Sequence, residues 1–198
     1  MTNKRNQVRI VGGLYRRRVL DFPSIEGLRP TSDRVKETLF NWLGQNLAGL
    51  SCLDLFSGSG ALGFEACSRG ARPVVCVETN ANAVRTLEKN KAILLAEGMT
   101  IVKKDAFDYL KSSTTTFDVI FLDPPFALIT MPFLLNLLAA CCERLSPTGL
   151  IYLESSLMLN AEEVPDFIQL KSGSAGVVKF SLWQRVPPKQ KNHFHEKL

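Results

Sequence analysis

Asp123-Pro124-Pro125-Phe126 is the segment of this sequence whose residue types best suit chemistry. It follows the apolar run 117–122, and open α/β sheets bind ligands at the carboxyl ends of their strands. A carboxylate and a backbone carbonyl can accept the two hydrogens of an exocyclic amine, which draws positive charge off the nitrogen during methyl transfer. Asp123 would supply the carboxylate and Pro124 the carbonyl, on a backbone that the prolines hold in place. Phe126 offers an aromatic face on which an extruded base can stack.

The tetrapeptide alone is equally typical of a turn that ends a strand, so its interpretation depends on a second motif. Gly58-Ser59-Gly60-Ala61-Leu62-Gly63 matches G-x-G-x-x-G between a predicted strand and a predicted helix. Glu78 comes twenty positions after Gly58, where a carboxylate can hold ribose hydroxyls. Asp54 precedes the loop, and its charge would repel a pyrophosphate but attract ammonium and sulfonium groups. The motif therefore predicts S-adenosylmethionine rather than a dinucleotide, and Asp105 could accept from the adenine amine.

Strand-like and helix-like segments alternate along the chain, which predicts a parallel sheet with helices on both faces. The predicted strands are 52–56, 74–77, 99–103, 117–122 and 150–153, followed by a closing pair, 166–170 and 176–184, around Ser172-Gly173-Ser174. Helices are predicted over 32–47, with Thr31 or Ser32 as the cap, over 61–68 and 80–96, and from Pro132 onward. The apolar segment 126–142 falls short of the ~20 residues that a bilayer span needs, so we expect a buried helix there.

Basic residues are concentrated at the two ends of the chain. Residues 1–20 hold six basic groups and no acid, residues 185–198 carry a net +3, and the segment between them carries −4. The β-like runs 8–11 and 14–20 flank Gly12-Gly13, which favours a tight hairpin turn. A hairpin would hold a basic array suited to nucleic acid, although solvated, partly disordered ends would give the same charge pattern. The array consists of Lys4, Arg5, Arg9, Arg16, Arg17 and Arg18.

Three segments with different roles follow from these patterns. Residues 1–27 are predicted to form a basic β-hairpin extension that binds RNA, residues 28–186 the catalytic domain, and residues 187–198 a basic tail. The five cysteines form no C-x-x-C pair, and the two histidines lie at 193 and 195, so metal-ligand spacing is absent. The N-terminus lacks the apolar stretch of a secretory signal, and the odd cysteine count suits reduced thiols. We expect a cytoplasmic monomer that binds neither a metal nor a membrane.

Two longer blocks resemble a known family. The order of the glycine loop and D-P-P-F is that of class I amino-methyltransferases. Residues 9–20, RIVGGLYRRRVL, resemble the N-terminal hairpin of the RsmD family of 16S rRNA guanine methyltransferases, and residues 28–43, LRPTSDRVKETLFNWL, resemble that family's block before the glycine loop. The resemblance runs from about residue 8 to residue 154. It implies a Rossmann-like, seven-stranded, mostly parallel sheet and methylation of the 2-amino group of a guanine in small-subunit rRNA, within an assembled or assembling 30S particle.

The resemblance also implies that Thr31 and Arg34 border the methionine end of the cofactor. Three positions depart from the family, which usually carries Trp at Tyr15, Gly at Arg17 and Ala at Ser57. The first two departures bear on how the hairpin meets RNA. The predicted cofactor-binding residues are Thr31, Arg34, Asp54, Phe56, Gly58, Gly60, Glu78, Asp105, Ala106 and Asp123, and the predicted catalytic residues are Asp123, Pro124 and Phe126.

Three alternatives stay open at this point. D-P-P-F is shared with adenine methyltransferases, so methylation of an adenine 6-amino group in DNA or RNA is one alternative, although 198 residues leave no visible target-recognition domain. An NAD-dependent oxidoreductase would use the glycine loop but needs a proton-relay residue, and both histidines are in the tail. A catalytically silent RNA-binding assembly factor is the third, and the intact tetrapeptide argues against it.

Overall fold

The structure is a computed structural model that describes residues 6–25 and 31–186. The strands in these ranges are β1 (Asn6–Arg9), β2 (Val19–Phe22), β3 (Cys52–Asp54), β4 (Val74–Glu78), β5 (Met99–Lys103), β6 (Phe117–Leu122), β7 (Leu145–Ser155), β8 (Phe167–Ala175) and β9 (Val178–Arg185). The α-helices are α1 (Asp33–Trp42), α2 (Ala61–Ser68), α3 (Ala81–Leu94), α4 (Ala106–Ser112) and α5 (Met131–Cys142). Short 3-10 helices lie at Phe126–Leu128 and Ala161–Glu163.

Seven of the strands form one sheet in the order β5-β4-β3-β6-β7-β9-β8. Neighbours from β5 to β7 are parallel, and β9 runs antiparallel to both β7 and β8. The chain builds outward from β3 to β5 and then returns to β6, so strand order reverses between β3 and β6. Open α/β sheets bind ligands at such a switch point. The predicted seven-stranded, mostly parallel sheet with an N-terminal hairpin is confirmed.

Helices cover both faces of this sheet because side chains alternate along the strands. On β6, Val119 and Phe121 pack with the helices α1, α2 and α3, whereas Ile120 and Leu122 pack with α4 and α5. Helix α2 is enclosed on every side, and all eight of its residues are buried. No helix in the described ranges is long and apolar enough to cross a membrane.

Most helices begin at a side-chain cap. Ser32 caps α1, as predicted, by accepting from the Val35 N–H, and Asn80 and Thr130 cap α3 and α5 in the same way. Helix α1 ends earlier than predicted because Gly44 has a φ of 89° and the following residue a φ of 66°, which stop the helical path. The prediction also missed helix α4, whose short sequence buries only two side chains.

The predicted turn of the closing strand pair is wrong. Residues 172–174 lie inside β8, and the chain reverses at Gly176-Val177 instead, where Gly176 has a φ of 61°. Gly173 serves a different purpose, since a Cβ there would lie 2.7 Å from the Phe180 ring on the neighbouring strand. The glycine thus makes room for an aromatic side chain within the ladder.

The N-terminal hairpin is present, but its connection differs from the prediction. Strands β1 and β2 pair from Asn6↔Phe22 to Arg9↔Val19, and residues 10–18 form a wide loop rather than a strand entered through a two-residue turn. Gly12-Gly13 instead contacts the end of helix α2. Gly13 has a φ of 72°, and a Cβ on it would lie 1.9 Å from the Ser68 carbonyl oxygen. The two glycines are therefore required for close docking of the loop.

Candidate active site

Three carboxylates lie at the carboxyl ends of neighbouring strands, beside the switch point. Asp54 ends β3, Asp123 directly follows β6, and Glu154 is the penultimate residue of β7. Each comes two positions after a residue that packs with helices α1 to α3, so all three are on that face of the sheet. The register of β6 with β7 sets Asp123 beside Glu154, and Asp54 is opposite Phe121, two positions before Asp123. We call these three residues the acidic crevice.

Asp54 is the most covered member of the acidic crevice, with an exposed fraction of 2%. Its Oδ2 accepts a hydrogen bond of 2.9 Å from the Gly63 N–H in the first turn of α2. Burial raises the pKa of Asp54 to about 7; the Gly63 hydrogen bond opposes this rise and the charge of Glu78 adds to it. The carboxyl therefore holds a proton far more readily than a solvated aspartate.

Asp123 and Glu154 influence each other's charge. Burial raises the pKa of Asp123 well above its usual range, and the charges of Glu154 and Asp54 raise it further. Burial also raises the pKa of Glu154, which is 5% exposed. The Tyr152 hydroxyl donates to Glu154 Oε1 over 3.0 Å, and the buried Thr31 side chain interacts with both carboxyls; these contacts favour the charged forms and partly offset the rise.

Among the described residues, the acidic crevice has no basic partner. Within residues 6–25 and 31–186, no lysine or arginine forms an ion pair with any of its three carboxylates. Asp54 and Glu154 are buried and Asp123 is half-buried. Carboxylates removed from water without a counter-charge are costly, so the arrangement suits a ligand that brings positive charge. In the same ranges no three His, Cys, Asp or Glu side chains are grouped to hold a metal ion.

The glycine loop lies next to this crevice and is held by Glu78. One Glu78 oxygen accepts from the Gly58 N–H at 2.8 Å and the other from the Asn80 N–H at 2.7 Å. Gly60 precedes α2 with a φ of 80°, and a Cβ there would overlap Phe64 and the Leu87 side chain. The loop is therefore a close-packed backbone cradle beside unpaired acids, which fits an adenosyl ligand carrying ammonium and sulfonium groups.

The other predicted cofactor residues are more dispersed. Thr31 is buried beside the acidic crevice, whereas Arg34 is exposed on the first turn of α1. Phe56 is half-buried after β3. Asp105 is exposed and caps α4 by accepting from the Phe107 N–H at 2.8 Å, while Ala106 is buried. Their roles, and those of Gly58, Gly60 and Glu78, stay predictions.

The segment after Asp123 offers a backbone carbonyl, that of Pro124, and an aromatic ring, that of Phe126. Pro124 is buried, and no backbone N–H of the described chain donates to its carbonyl, whereas the Pro125 carbonyl accepts from Leu128. Phe126 opens a 3-10 helix and is 42% exposed. A carboxylate, a carbonyl that accepts from no described backbone N–H, and an exposed aromatic face thus follow one another at the end of β6.

The N-terminal hairpin displays the predicted arginines at the surface. Arg9, Arg16, Arg17 and Arg18 are all exposed, whereas Lys4, Arg5 and the tail 187–198 fall outside the described residues. Arg17 has a φ of 70°, in the left-handed region that favours glycine, and this is the position where the family usually carries glycine. RNA binding by this surface stays a prediction.

Buried charges fix the hairpin to the domain. Glu65 on α2 accepts from the N–H groups of Val11 and Gly12, each at 2.8 Å, and from Arg69 Nε at 2.9 Å. Arg69 also donates to the Gln45 side chain at 2.7 Å and stacks over the Phe40 ring.

Lys36 on α1 completes this contact. Its ammonium is fully buried, donates to the Arg9 carbonyl, and lies 3.1 Å from Asp33 Oδ1. We call Lys36, Glu65 and Arg69 the docking cluster. Each member has a partner of opposite charge, so the cluster holds β1 and its loop against α1 and α2.

Sequence reasoning missed Glu154 and the docking cluster. The criterion that identified Asp123, an acid directly after a buried strand, applies equally to Glu154 after the apolar run 150–153. Glu65 and Arg69 are four residues apart on one helix, which is a visible ion-pair spacing. Their burial became evident only from the packing of the hairpin on α2.

Comparison with known proteins agrees with this fold. Residues 8–184 match the family described as conserved hypothetical protein 95. Ribosomal RNA small subunit methyltransferase D from Haemophilus influenzae is 40% identical over 92% of this chain and 96% of its own. A putative methyltransferase from Escherichia coli has 40% identity and a TM-score of 0.80, over 91% of this chain and 99% of its own. A second solved structure is a 16S rRNA N2 methyltransferase from Thermus thermophilus in complex with AdoMet and guanosine. It is 24% identical and shares the fold, with a TM-score of 0.68 over 92% of this chain and 50% of its own.

The fold is that of the class I methyltransferases that use S-adenosylmethionine. The glycine loop therefore belongs to a methyltransferase and not to an NAD-dependent oxidoreductase. Within that class the chain belongs to the family described as conserved hypothetical protein 95, the RsmD family.

Proposed function

We propose that this chain transfers a methyl group from S-adenosylmethionine to the 2-amino group of a guanine in 16S rRNA, within an assembled or assembling small subunit in the cytoplasm. The observation that carries the proposal is the position of Asp123-Pro124-Pro125-Phe126, which begins in the acidic crevice at the switch point of the sheet. The relatives named ribosomal RNA small subunit methyltransferase D support the substrate class.

S-adenosylmethionine supplies, when bound, an electrophilic methyl group on a sulfonium sulfur. Asp54 and the glycine loop are the groups proposed to hold it, because they combine unpaired negative charge with a backbone cradle. Thr31 and Arg34 would border its methionine end, Phe56 and Glu78 its ribose side, and Asp105 and Ala106 its adenine.

The substrate amine is activated by two acceptors from this chain. Asp123 accepts one amine hydrogen and the Pro124 carbonyl accepts the other, which favours a pyramidal nitrogen with an available lone pair. The prolines fix both acceptors before the substrate arrives. The Phe126 ring stacks on the extruded base, a contact worth about 1–3 kcal/mol.

The hairpin arginines would contact the rRNA backbone. Phosphate contacts of this kind position a substrate without reading its sequence, and they make binding dependent on salt. The docking cluster holds this basic surface in a fixed relation to the active site, which suits an enzyme that modifies one nucleotide of a large folded RNA.

The test uses small subunits that lack the modification, labelled S-adenosylmethionine and nucleoside analysis of the product. We expect label in 2-methylguanosine at one position. Label in 6-methyladenosine would show that the substrate is adenine rather than guanine. Absence of label in rRNA would contradict the proposal.

Substitution of Asp123 tests the chemistry. We expect Asp123→Asn to lower kcat by about 10²–10³-fold, because one preorganised acceptor is lost. Asp118→Asn is the matched control, since Asp118 is at the opposite end of the same strand and bonds to Ser51. Equal activity in the two variants would contradict the role of Asp123.

A further inference from the structure

We propose that Glu154 is a positioning residue of the methyl-transfer reaction, which forms with Asp123 a carboxyl pair that takes up the proton released by the methylated amine. This inference rests on the proposed function. It concerns a residue outside the tetrapeptide and assigns it an effect that acts through Asp123.

Strand register creates the pair. Leu122, the last residue of β6, is opposite Leu153 of the parallel strand β7. The residues that follow them, Asp123 and Glu154, are therefore neighbours. Both come two positions after residues that pack on the α1–α3 face, which sets both carboxyls on the same side of the sheet. Glu154 is 5% exposed and lies beside Asp123. Two carboxylates that are close together and shielded from water act strongly on each other's charge.

The groups around the pair come from three elements. Tyr152, on the same strand, donates its hydroxyl to Glu154, and Thr31, just before α1, interacts with both carboxyls. Asp54 contributes a third negative charge from β3. The described residues around the pair therefore add hydrogen bonds and negative charge but no cation.

The reaction supplies a proton at this place. When the amine nitrogen bonds to the methyl carbon, the bond from that carbon to the sulfonium sulfur of S-adenosylmethionine breaks and its electron pair stays on the sulfur as a neutral thioether. The nitrogen then carries the positive charge and must lose one hydrogen. The N–H bond breaks, its electron pair returns to the nitrogen, and the proton forms an O–H bond with the Asp123 carboxylate. A neutral amine and a neutral carboxylic acid result. The charge of Glu154 strengthens Asp123 as the acceptor, because protonation of Asp123 relieves the repulsion between the two groups.

The decisive variant is Glu154→Gln, which keeps the size of the side chain and an oxygen that can accept from the Tyr152 hydroxyl. In the cofactor-free protein, carboxyl ¹³C NMR follows the titration of Asp123, with its signal assigned by comparison with Asp123→Asn. We expect the titration midpoint to fall by about one pH unit in Glu154→Gln, in line with the 1–3 units that a close charge contributes.

Kinetics of the complete enzyme give the second readout. We expect Glu154→Gln to lower the single-turnover rate at pH 7.5 about tenfold and to move the acid limb of its pH profile to lower pH. Affinity for S-adenosylhomocysteine and KM for the subunit stay within about threefold, because the base, and not binding, is weakened. Glu154→Asp, which restores the charge, recovers most of both losses.

The inference is overturned if Asp123 titrates at the same pH in Glu154→Gln and in the wild type, or if Glu154→Asp behaves like Glu154→Gln. Such results leave the proposed function intact as long as the wild type methylates the subunit. A wild type that fails to methylate rRNA overturns both, so the two failures are distinguishable.

Discussion

Two groups of charged side chains lie next to the two ends of helix α2. The charges of one group are paired, and those of the other are not. At its C-terminal end, the docking cluster pairs every charge, with Glu65 accepting three hydrogen bonds and Lys36 lying beside Asp33. At its N-terminal end, the acidic crevice gathers negative charges that no described lysine or arginine neutralises. Paired buried charges of the first kind stabilise the fold, whereas unpaired carboxylates of the second kind are typical of a binding site.

Breaking the docking cluster should have the largest effect on stability. Glu65→Ala removes the acceptor of two backbone amides and leaves the Arg69 guanidinium buried without its carboxylate. We expect the free energy of unfolding in urea to fall by about 3–5 kcal/mol.

The control for this prediction is Glu88→Ala on α3. Glu88 is 3.9 Å from Lys91, and its side chain is half exposed. Exposed pairs contribute roughly 0–1 kcal/mol, so little change is expected. Similar losses in the two variants would mean that burial of the docking cluster carries no special energy.

The acidic crevice should make the free energy of unfolding depend on pH. A carboxylate in a salt bridge stabilises a protein more as the pH rises, whereas a buried carboxylate with a raised pKa stabilises it less. Because the pKa of Asp54 is about 7 in the folded protein and near 3.8 when unfolded, the folded state binds the extra proton. Stability should therefore decrease as the pH rises from about 4 to about 7, by roughly 3–5 kcal/mol in total from this group. Urea unfolding of the cofactor-free protein across this range measures the slope.

Asp54→Asn isolates that contribution. An asparagine oxygen can still accept from the Gly63 N–H but cannot take a charge, so we expect a shallower slope than in the wild type. In the wild type, S-adenosylhomocysteine should stabilise more at pH 8 than at pH 5, since its ammonium neutralises an ionised crevice. An unchanged slope in the variant would show that Asp54 ionises as easily as in water.

The packing of α2 on the sheet gives a smaller expected effect. A Cβ on Gly63 would lie 2.4 Å from the Cys76 sulfur and 3.1 Å from Asp54 Oδ2. Gly63→Ala should destabilise by about 1–3 kcal/mol through overpacking. Adding Cys76→Ala should recover part of this loss, because it removes the sulfur that the new methyl group meets. Purely additive effects in thermal or urea unfolding would argue against this contact.

The smallest expected effect is at Arg17, on the exposed side of the docked hairpin. Arg17→Gly relieves a left-handed backbone and should raise the free energy of unfolding by up to about 1 kcal/mol, partly offset by the flexibility of glycine. Arg18→Gly removes the same charge without this relief. Both variants should weaken rRNA binding. They should also reduce the slope of the logarithm of the binding constant against the logarithm of salt concentration by about one. Equal stability of the two would contradict the proposed strain.

Local patterns were sufficient for some elements but not for β3 and β7, which carry Asp54 and Glu154 and extend over Cys52–Asp54 and Leu145–Ser155 rather than over the predicted 52–56 and 150–153. The bounds of α2, β5 and β6 were predicted correctly because apolar periodicity and flanking turn residues define them within the sequence. The role of Gly12-Gly13 was predicted wrongly because it depends on contact with Ser68 and Arg69, more than fifty positions away. Glu154 is visible in the sequence as an acid directly after an apolar run, but its pairing with Asp123 depends on the register of β7 against β6.

Helix α2 also limits how this protein can exchange parts with its relatives. All eight of its residues are buried, with the glycine loop before it and the hairpin docked on its last turns. Glu65 and Ser68 bond to backbone groups of the hairpin, and Gly12 and Gly13 lie against Arg69 and Ser68. A hairpin borrowed from a relative would therefore need the two glycines to fit residues 65, 68 and 69, whereas its exposed arginines could differ without disturbing the contact.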